Sequence, residues 1–184
     1  MKSFLIFIFE ILKIVIVAAL IVVPIRYFLF QPFIVRGVSM EPNFHHGDYL
    51  IIDEISYRFW QPRRGEVVVF KYPQAPSQRY IKRIIGLPGE TIEIKDGRVL
   101  ILESGEPQIL DESFYLPESL VTSGDVSTSL AEDMYFVLGD NRFFSSDSRQ
   151  WGPLPENYII GKALFRAWPP QALAKISLPT YQTP

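Results

Sequence analysis

Residues 4 to 25 are apolar except for Glu10 and Lys13. Coiled as a helix, that run is about 33 Å long at 1.5 Å per residue, enough to cross the hydrocarbon core of a bilayer. Glu10 and Lys13 are three residues apart, so they share a helix face and can pair. They lie in the first half of the segment, where a long side chain can reach the near interface. The rival reading is a cleaved signal peptide, for which Ile14 to Ile25 has a suitable apolar length. Against it, the following residues, Arg26-Tyr-Phe-Leu-Phe-Gln-Pro32, offer no pair of small residues to cut after, and Ala18 and Ala19 lie inside the run. The segment reads as an uncleaved anchor. Charge does not set its orientation, because Lys2 on one side faces Arg26 and Arg36 on the other.

The rest of the 184-residue chain reads as one soluble domain. A net charge of −2 gives no general basic field for nucleic acid. Basic residues are nevertheless gathered from Arg58 to Arg83, with Glu66 the single acid there, while Val99 to Asn141 has no Lys or Arg. The latter stretch reads as a solvated acidic loop, with a docking surface for a basic segment as the alternative. There is no cysteine, which excludes a thiol nucleophile, a cysteine-based zinc site and disulfides. The two histidines, His45 and His46, are adjacent and read as loop residues; no metal or cofactor is expected.

After residue 35 the pattern is that of short strands. Asp48–Ile55, Glu66–Tyr72 and Tyr80–Ile85 are β-rich runs punctuated by Gly, Pro and Arg. Glu90–Lys95 and Arg98–Leu102 alternate around Asp96-Gly97, a hairpin signal. Met134–Leu138 and Tyr158–Trp168 add two candidates. The expected fold is mainly β: an antiparallel, partly open, barrel-like domain with one N-terminal transmembrane helix. Residues 1–27 form the anchor and 28–184 the β-rich domain, with an acidic insertion at about 103–133.

Ser39 stands in Arg36-Gly-Val-Ser-Met-Glu-Pro-Asn43. Gly37 permits an unusual backbone and Pro42 fixes a turn, so a serine there sits at a strand end near free backbone N–H groups. Taken alone it is a weak signal, since most serines in turns flanked by Gly and Pro are turn residues and nothing more. A serine nucleophile needs a base, and a buried lysine can serve because burial disfavours its charge. Lys82 lies in an apolar run beside Ile81 and Ile84; if Arg83 points to solvent, alternation turns Lys82 inwards. The alternative is a solvated edge-strand lysine.

Four segments together resemble the type I signal peptidases, in that family's order and spacing. They are Gly37-Val-Ser-Met-Glu-Pro42, Arg64-Gly-Glu-Val-Val-Val-Phe70, Tyr80-Ile-Lys-Arg-Ile-Ile-Gly-Leu-Pro-Gly-Glu90, and Gly139-Asp-Asn-Arg142 with Ser145-Ser-Asp-Ser-Arg-Gln-Trp-Gly152. Tyr57-Arg-Phe and Phe165-Arg-Ala-Trp-Pro-Pro170 look most like the cyanobacterial and thylakoid branch. The resemblance implies a membrane-bound endopeptidase that removes signal peptides from translocated preproteins. Ser39 would be its nucleophile and Lys82 its general base, without metal or cofactor. Ser145 would hydrogen-bond the lysine amine, Asp147 and Arg149 would form a supporting ion pair, and Asp140 would be a further structural acid. Pro32, Phe33, Ile34 and Val35 match the edge strand that pairs with substrate. Ile34, Val38, Tyr80 and Ile81 are candidates for its pockets or, equally, for ordinary core. The implied partners are preproteins, membrane lipid and, as a further possibility, the translocation machinery. The implied location is an inner or thylakoid membrane with the domain on the periplasmic or lumenal side.

Three positions depart from the family pattern. Gly37 stands where some branches carry a serine, leaving the oxyanion to backbone N–H groups, chiefly that of Ser39. Asn43 replaces a threonine. Phe143-Phe144 replaces polar residues; these rings either reach lipid, with Phe59 and Trp60, or are buried under the loop. Two other readings stand beside the peptidase one: a self-cleaving Ser–Lys repressor, and an inactive anchored β-domain used for binding.

Overall fold

The computed structural model describes residues 2–28, 30–102, 107–179 and 181. A helix of 27 residues, α1 (Lys2–Phe28), opens the chain. Large apolar side chains along it, from Phe4 to Val22, are exposed. Among the described residues no helix is long and apolar enough to cross a membrane. The fold therefore shows an exposed apolar N-terminal helix and not the transmembrane span expected from the sequence.

Among the described residues twelve strands follow: β1 (Phe30–Ile34), β2 (Tyr49–Asp53), β3 (Val67–Tyr72), β4 (Ala75–Gly86), β5 (Thr91–Lys95), β6 (Arg98–Leu102), β7 (Gln108–Ile109), β8 (Val126–Ser129), β9 (Met134–Leu138), β10 (Leu154–Pro155), β11 (Ile159–Trp168) and β12 (Ala174–Lys175). One large sheet has the order β1-β2-β11-β3-β4-β9-β10, with β12 against β11, and a smaller one has the order β7-β6-β5-β8. All their pairings are antiparallel. The large sheet starts at β1 and ends at β10 without closing, so the barrel-like expectation is corrected to two open sheets.

Sequence explains the two central strands. Val67, Val68, Val69 and Phe70 are all buried, which is why β3 reads as a continuous apolar run and not an alternating one. One side of that strand joins Leu50, Ile52, Val35, Met40 and Ile81 in one core cluster; the other joins Ile84, Tyr135, Val137 and Leu154. In β4 every residue from Ile81 to Gly86 is buried, so both faces are covered there. Arg83, expected to face solvent opposite Lys82, is therefore buried like its neighbour: each is 3% exposed.

The β5–β6 hairpin follows its sequence signal. Lys95 pairs with Arg98 across a two-residue turn in which Asp96 (φ 50°) and Gly97 (φ 76°) both take positive φ. Ile92, Ile94, Val99 and Ile101 form its buried face, packed with Ile85, Phe136 and Leu138 of the large sheet. Part of the acidic insertion is built into this sheet: β7 pairs with β6, and β8 with β5.

Candidate active site

The segment after β1 is pinned at two buried points. Val35 and Met40 are each 1% exposed, while Gly37 and Val38 between them are exposed and Ser39 is half-buried. Val35 donates its N–H to Asp48 O at 2.9 Å and accepts from Gly47 N–H at 2.9 Å. Gly37 takes φ 88°, and its N–H donates to His46 Nδ1 at 3.2 Å. His46 thus props the turn before the serine, a role that adjacency to another histidine does not signal.

Carbonyls of the serine segment are held from the far side by the loop after β9. Asn141 donates its backbone N–H to Ser39 O at 3.0 Å and its side-chain amide to Val38 O at 3.1 Å. The Ser39 N–H donates to no protein group among the described residues. It is therefore free to bind an oxyanion developing at the reacting carbonyl.

Lys82 reaches this segment from β4. Its Nζ donates to Ser39 Oγ at 2.8 Å and to Ile81 O at 2.8 Å. Burial pushes the amine down from the ordinary 10.5 to about 8, against the upward pull of Asp147 and then Asp140. Those two acids are each neutralised by an arginine. Asp140 accepts from Arg83 Nε at 2.8 Å and Nη2 at 2.6 Å, and Asp147 from Arg149 Nε and Nη2, both at 2.8 Å. With the carboxylates already paired, burial prevails and the neutral amine is accessible near pH 8. A neutral amine 2.8 Å from a hydroxyl can take its proton.

The supporting shell converges on Gly139 to Arg149. Asp147 Oδ2 accepts the Gly139 N–H at 3.1 Å, and Asp147 caps the four-residue helix α2 (Ser148–Trp151) by accepting the Arg149 N–H. Asn43 donates to Asp140 Oδ2 and to Tyr115 O, each at 2.8 Å. Arg142 donates to Gly139 O at 3.0 Å and is clamped by Glu112 and Thr122, while Arg149 donates to Ser123 O at 3.1 Å. Glu112, Thr122 and Ser123 belong to the acidic insertion. That stretch, read from sequence as a solvated loop, instead holds the arginines of the site. Arg83, Arg142, Glu112, Asn43 and Asn141 escaped assignment because their partners lie 30 to 103 residues away in sequence.

Ser145 is buried, and among the described residues its Oγ has no hydrogen-bond partner. Among the described residues no bond links it to the lysine amine, whose Nζ donates to Ser39 Oγ and Ile81 O. Ser145 Oγ lies against Gly139, near the Ser39 carbonyl.

An open cleft of about 880 Å³ leads to the serine. One wall is β1, which ends the large sheet and, among the described residues, pairs with β2 alone; the other is the first part of β4, whose pairing with β9 begins at Arg83. Of the expected substrate residues, Pro32, Phe33, Ile34, Val38, Tyr80 and Ile81 line it. Val35 does not: it follows the last residue of β1, and its side chain fills the core between the sheet and Phe44. Arg36, Ser77, Gln78, Arg79, Phe144 and Ser146 line it without having been expected. Phe143, Phe144, Phe59 and Trp60 are exposed, so the buried reading of these rings is excluded. Among the described residues no group of three or more His, Cys, Asp or Glu is placed to hold a metal ion.

The family described as signal peptidase, peptidase S26, matches residues 8–168. A signal peptidase I from Leptolyngbya laminosa is 39% identical over 162 residues, which cover 84% of this chain and 77% of that protein. A probable signal peptidase I-2 from Synechocystis sp. is 37% identical over 165 residues, covering 87% and 73%. A probable chloroplastic thylakoidal processing peptidase 2 from Arabidopsis thaliana is 34% identical over 160 residues, covering 82% of this chain and 41% of its own length. The chain therefore belongs to the type I signal peptidase family, peptidase S26, on its cyanobacterial and thylakoid-like side, and is a peptidase.

Proposed function

We propose that this peptidase removes N-terminal signal peptides from translocated preproteins with Ser39 as nucleophile and Lys82 as general base. The observation that carries the proposal is the 2.8 Å hydrogen bond between a buried lysine amine and a serine hydroxyl at the head of an open cleft. Neutral Lys82 takes the Ser39 proton as Oγ bonds to the scissile carbonyl carbon. The resulting oxyanion is bound by the Ser39 N–H. Collapse breaks the C–N bond, and the Lys82 proton passes to the leaving amine. Water then attacks the acyl-enzyme, giving a proton to Lys82, which returns it to Ser39 Oγ as the ester breaks.

Ser145 takes its part after acylation. Once Oγ is esterified, Nζ loses its best partner, and the unpaired Ser145 hydroxyl orients the amine toward the water. Asp147, Arg149 and Asp140 hold that loop in place. An extended substrate adds as a strand between the free edges of β1 and β4, so backbone bonds supply affinity and Pro32, Phe33, Ile34, Val38, Tyr80 and Ile81 supply the side-chain contacts.

The exposed apolar helix α1 holds the domain at 28–184 against an inner or thylakoid membrane, on its periplasmic or lumenal side. The support is its exposed apolar surface, together with the cyanobacterial and thylakoidal relatives. Lipid and the translocation machinery are the partners that follow from this placement.

Cleavage of a purified precursor bearing an Ala-X-Ala site, in detergent, tests the reading with wild type, Ser39→Ala and Lys82→Ala. Wild type releases the mature terminus and both folded variants do not. Equal cleavage by Lys82→Ala removes the lysine from the mechanism.

A further inference from the structure

The cleft lining holds two arginines, Arg36 and Arg79, and no carboxylate. Among the described residues neither arginine forms an ion pair. Arg79 instead extends Nη1 from β4 toward Gln31 Oε1 of β1, at 3.5 Å. Glu54 acts on Arg79 but lies outside the cleft lining.

The two cleft walls run in the same sense. From Phe30 to Ile34, β1 leads into the Ser39 segment; from Ala75, β4 leads to Lys82. The end of the cleft away from the dyad is where β1 starts, two residues after α1 ends. A peptide whose N-terminal part comes from the anchor side thus runs parallel to both walls. Arg79 stands three residues before Lys82, about 10 Å along a strand at 3.3 Å per residue. Its guanidinium is therefore placed to reach the peptide residue four positions before the scissile bond, just ahead of the Ala-X-Ala stretch. A carboxylate there replaces the neutral Gln31 oxygen with a charged acceptor, and a charge-assisted bond is the stronger of the two. A lysine there meets an unpaired like charge.

We propose that Arg79 makes this cleft selective for charge: substrates with Asp or Glu four residues before the cut are processed faster than neutral ones, and those with Lys or Arg slower. Arg36, at the nucleophile end, adds to the same positive field. The proposal rests on the peptidase reading of this cleft. Arg79 is exposed, so the effect on kcat/KM is about two- to fivefold in each direction and shrinks as salt is raised.

The test uses the full chain in detergent and three precursors that share one Ala-X-Ala site, with Gln, Glu or Lys four residues before the cut. Wild type is expected to rank them Glu, Gln, Lys, with the spread narrowing in 1 M salt. In Arg79→Gln the Glu-to-Lys ratio falls to near one, and in Arg79→Lys it is retained. Arg98→Gln, in the distant β5–β6 turn, leaves the ratio as in wild type. Equal rates for the three precursors in wild type, or an unchanged ranking in Arg79→Gln, overturn the proposal while leaving the peptidase reading intact. Failure to cleave even the Gln precursor overturns that reading and the charge selection with it.

Discussion

Glu112 and Arg142 form a two-pronged ion pair, at 2.8 and 2.5 Å, between the acidic insertion and the loop that carries Ser145. Arg142 is 1% exposed and also donates to the Gly139 carbonyl, so the pair sets the height of that loop under the serine segment. Removing one partner of a buried pair leaves the other charge unpaired. Glu112→Ala is expected to lower stability by about 2–3 kcal/mol, and Glu112→Gln, which keeps an acceptor, by less. In denaturant melts the order should be wild type, Gln, Ala. Kcat should follow the same order with a smaller change in KM. An Ala variant as stable as wild type would show that the insertion does not hold the loop.

Activity should rise with pH through about 8. Lys82 is protonated below that value and cannot accept the Ser39 proton; above it the amine is neutral. The acid limb of kcat/KM is expected to titrate near 8, with unit slope. A limb near 10.5 would mean an unburied lysine, and one near 6.5 would point to histidine.

The same shift fixes the sign of a stability effect. Between about 8 and the ordinary lysine value the unfolded chain binds more protons at Lys82 than the folded chain. The penalty of burying the charge is therefore full below pH 8 and is relieved as pH rises through that window. Lys82→Met is expected to be inactive yet about 1–3 kcal/mol more stable at pH 7, the loss of two hydrogen bonds offsetting part of the gain. The advantage should fade toward pH 10. Melting curves of both proteins at pH 7 and pH 10 check it, and a variant less stable at pH 7 contradicts it.

Much of the architecture was legible because it is local. Asp96-Gly97 and the alternation of Ile92, Ile94, Val99 and Ile101 identify a hairpin without reference to the rest of the chain. The Ser39 and Lys82 segments were legible as motifs, but the reason given for the inward lysine was incomplete. Alternation would send Arg83 to solvent, whereas Asp140, Gly65 O and the Tyr115 ring, 4.0 Å from its guanidinium carbon, receive it in the interior. A buried acid 57 residues away is what makes that arginine tolerable there, and strand periodicity carries no such information. Val35 was misplaced for the opposite reason. It continues the alternation of β1, with Pro32 and Ile34 exposed and Val35 on the inward face of Phe33, so a motif that assigns all four residues to substrate overrides what strand periodicity says.

Gly139 admits no side chain. A Cβ there would overlap Ser145 Oγ and the Ser39 carbonyl oxygen, and the latter is backbone, so the nucleophile segment itself would have to move. Gly139→Ala is expected to stay folded and lose about 10²-fold in kcat, since small misplacements of catalytic groups have effects of that size. Ser145→Ala makes the contrasting case. Its Oγ has no partner to lose, so stability should hold within about 0.5 kcal/mol. Deacylation should nevertheless slow about tenfold or more if the hydroxyl orients Lys82 after acylation. Acyl-enzyme trapped by rapid quench would show this, and unaltered turnover would remove Ser145 from the mechanism.

Phe144 lines the cleft and is 73% exposed, and Phe143 beside it is also exposed. Two adjacent phenylalanines at the mouth of an aqueous cleft gain little from water, whereas aromatic rings partition well into the headgroup region of a bilayer. If the cleft works at a membrane surface, the rings matter for substrates held there and not for those free in solution. The double variant Phe143→Ser/Phe144→Ser should therefore cleave a short soluble peptide at near the wild-type rate. On a precursor embedded in vesicles it should lose about tenfold or more, corresponding to roughly 1.4 kcal/mol or more of lost interfacial contact. Equal losses on both substrates would make the pair part of the peptide-binding wall. No loss on either would leave α1 as the sole source of membrane contact at this face.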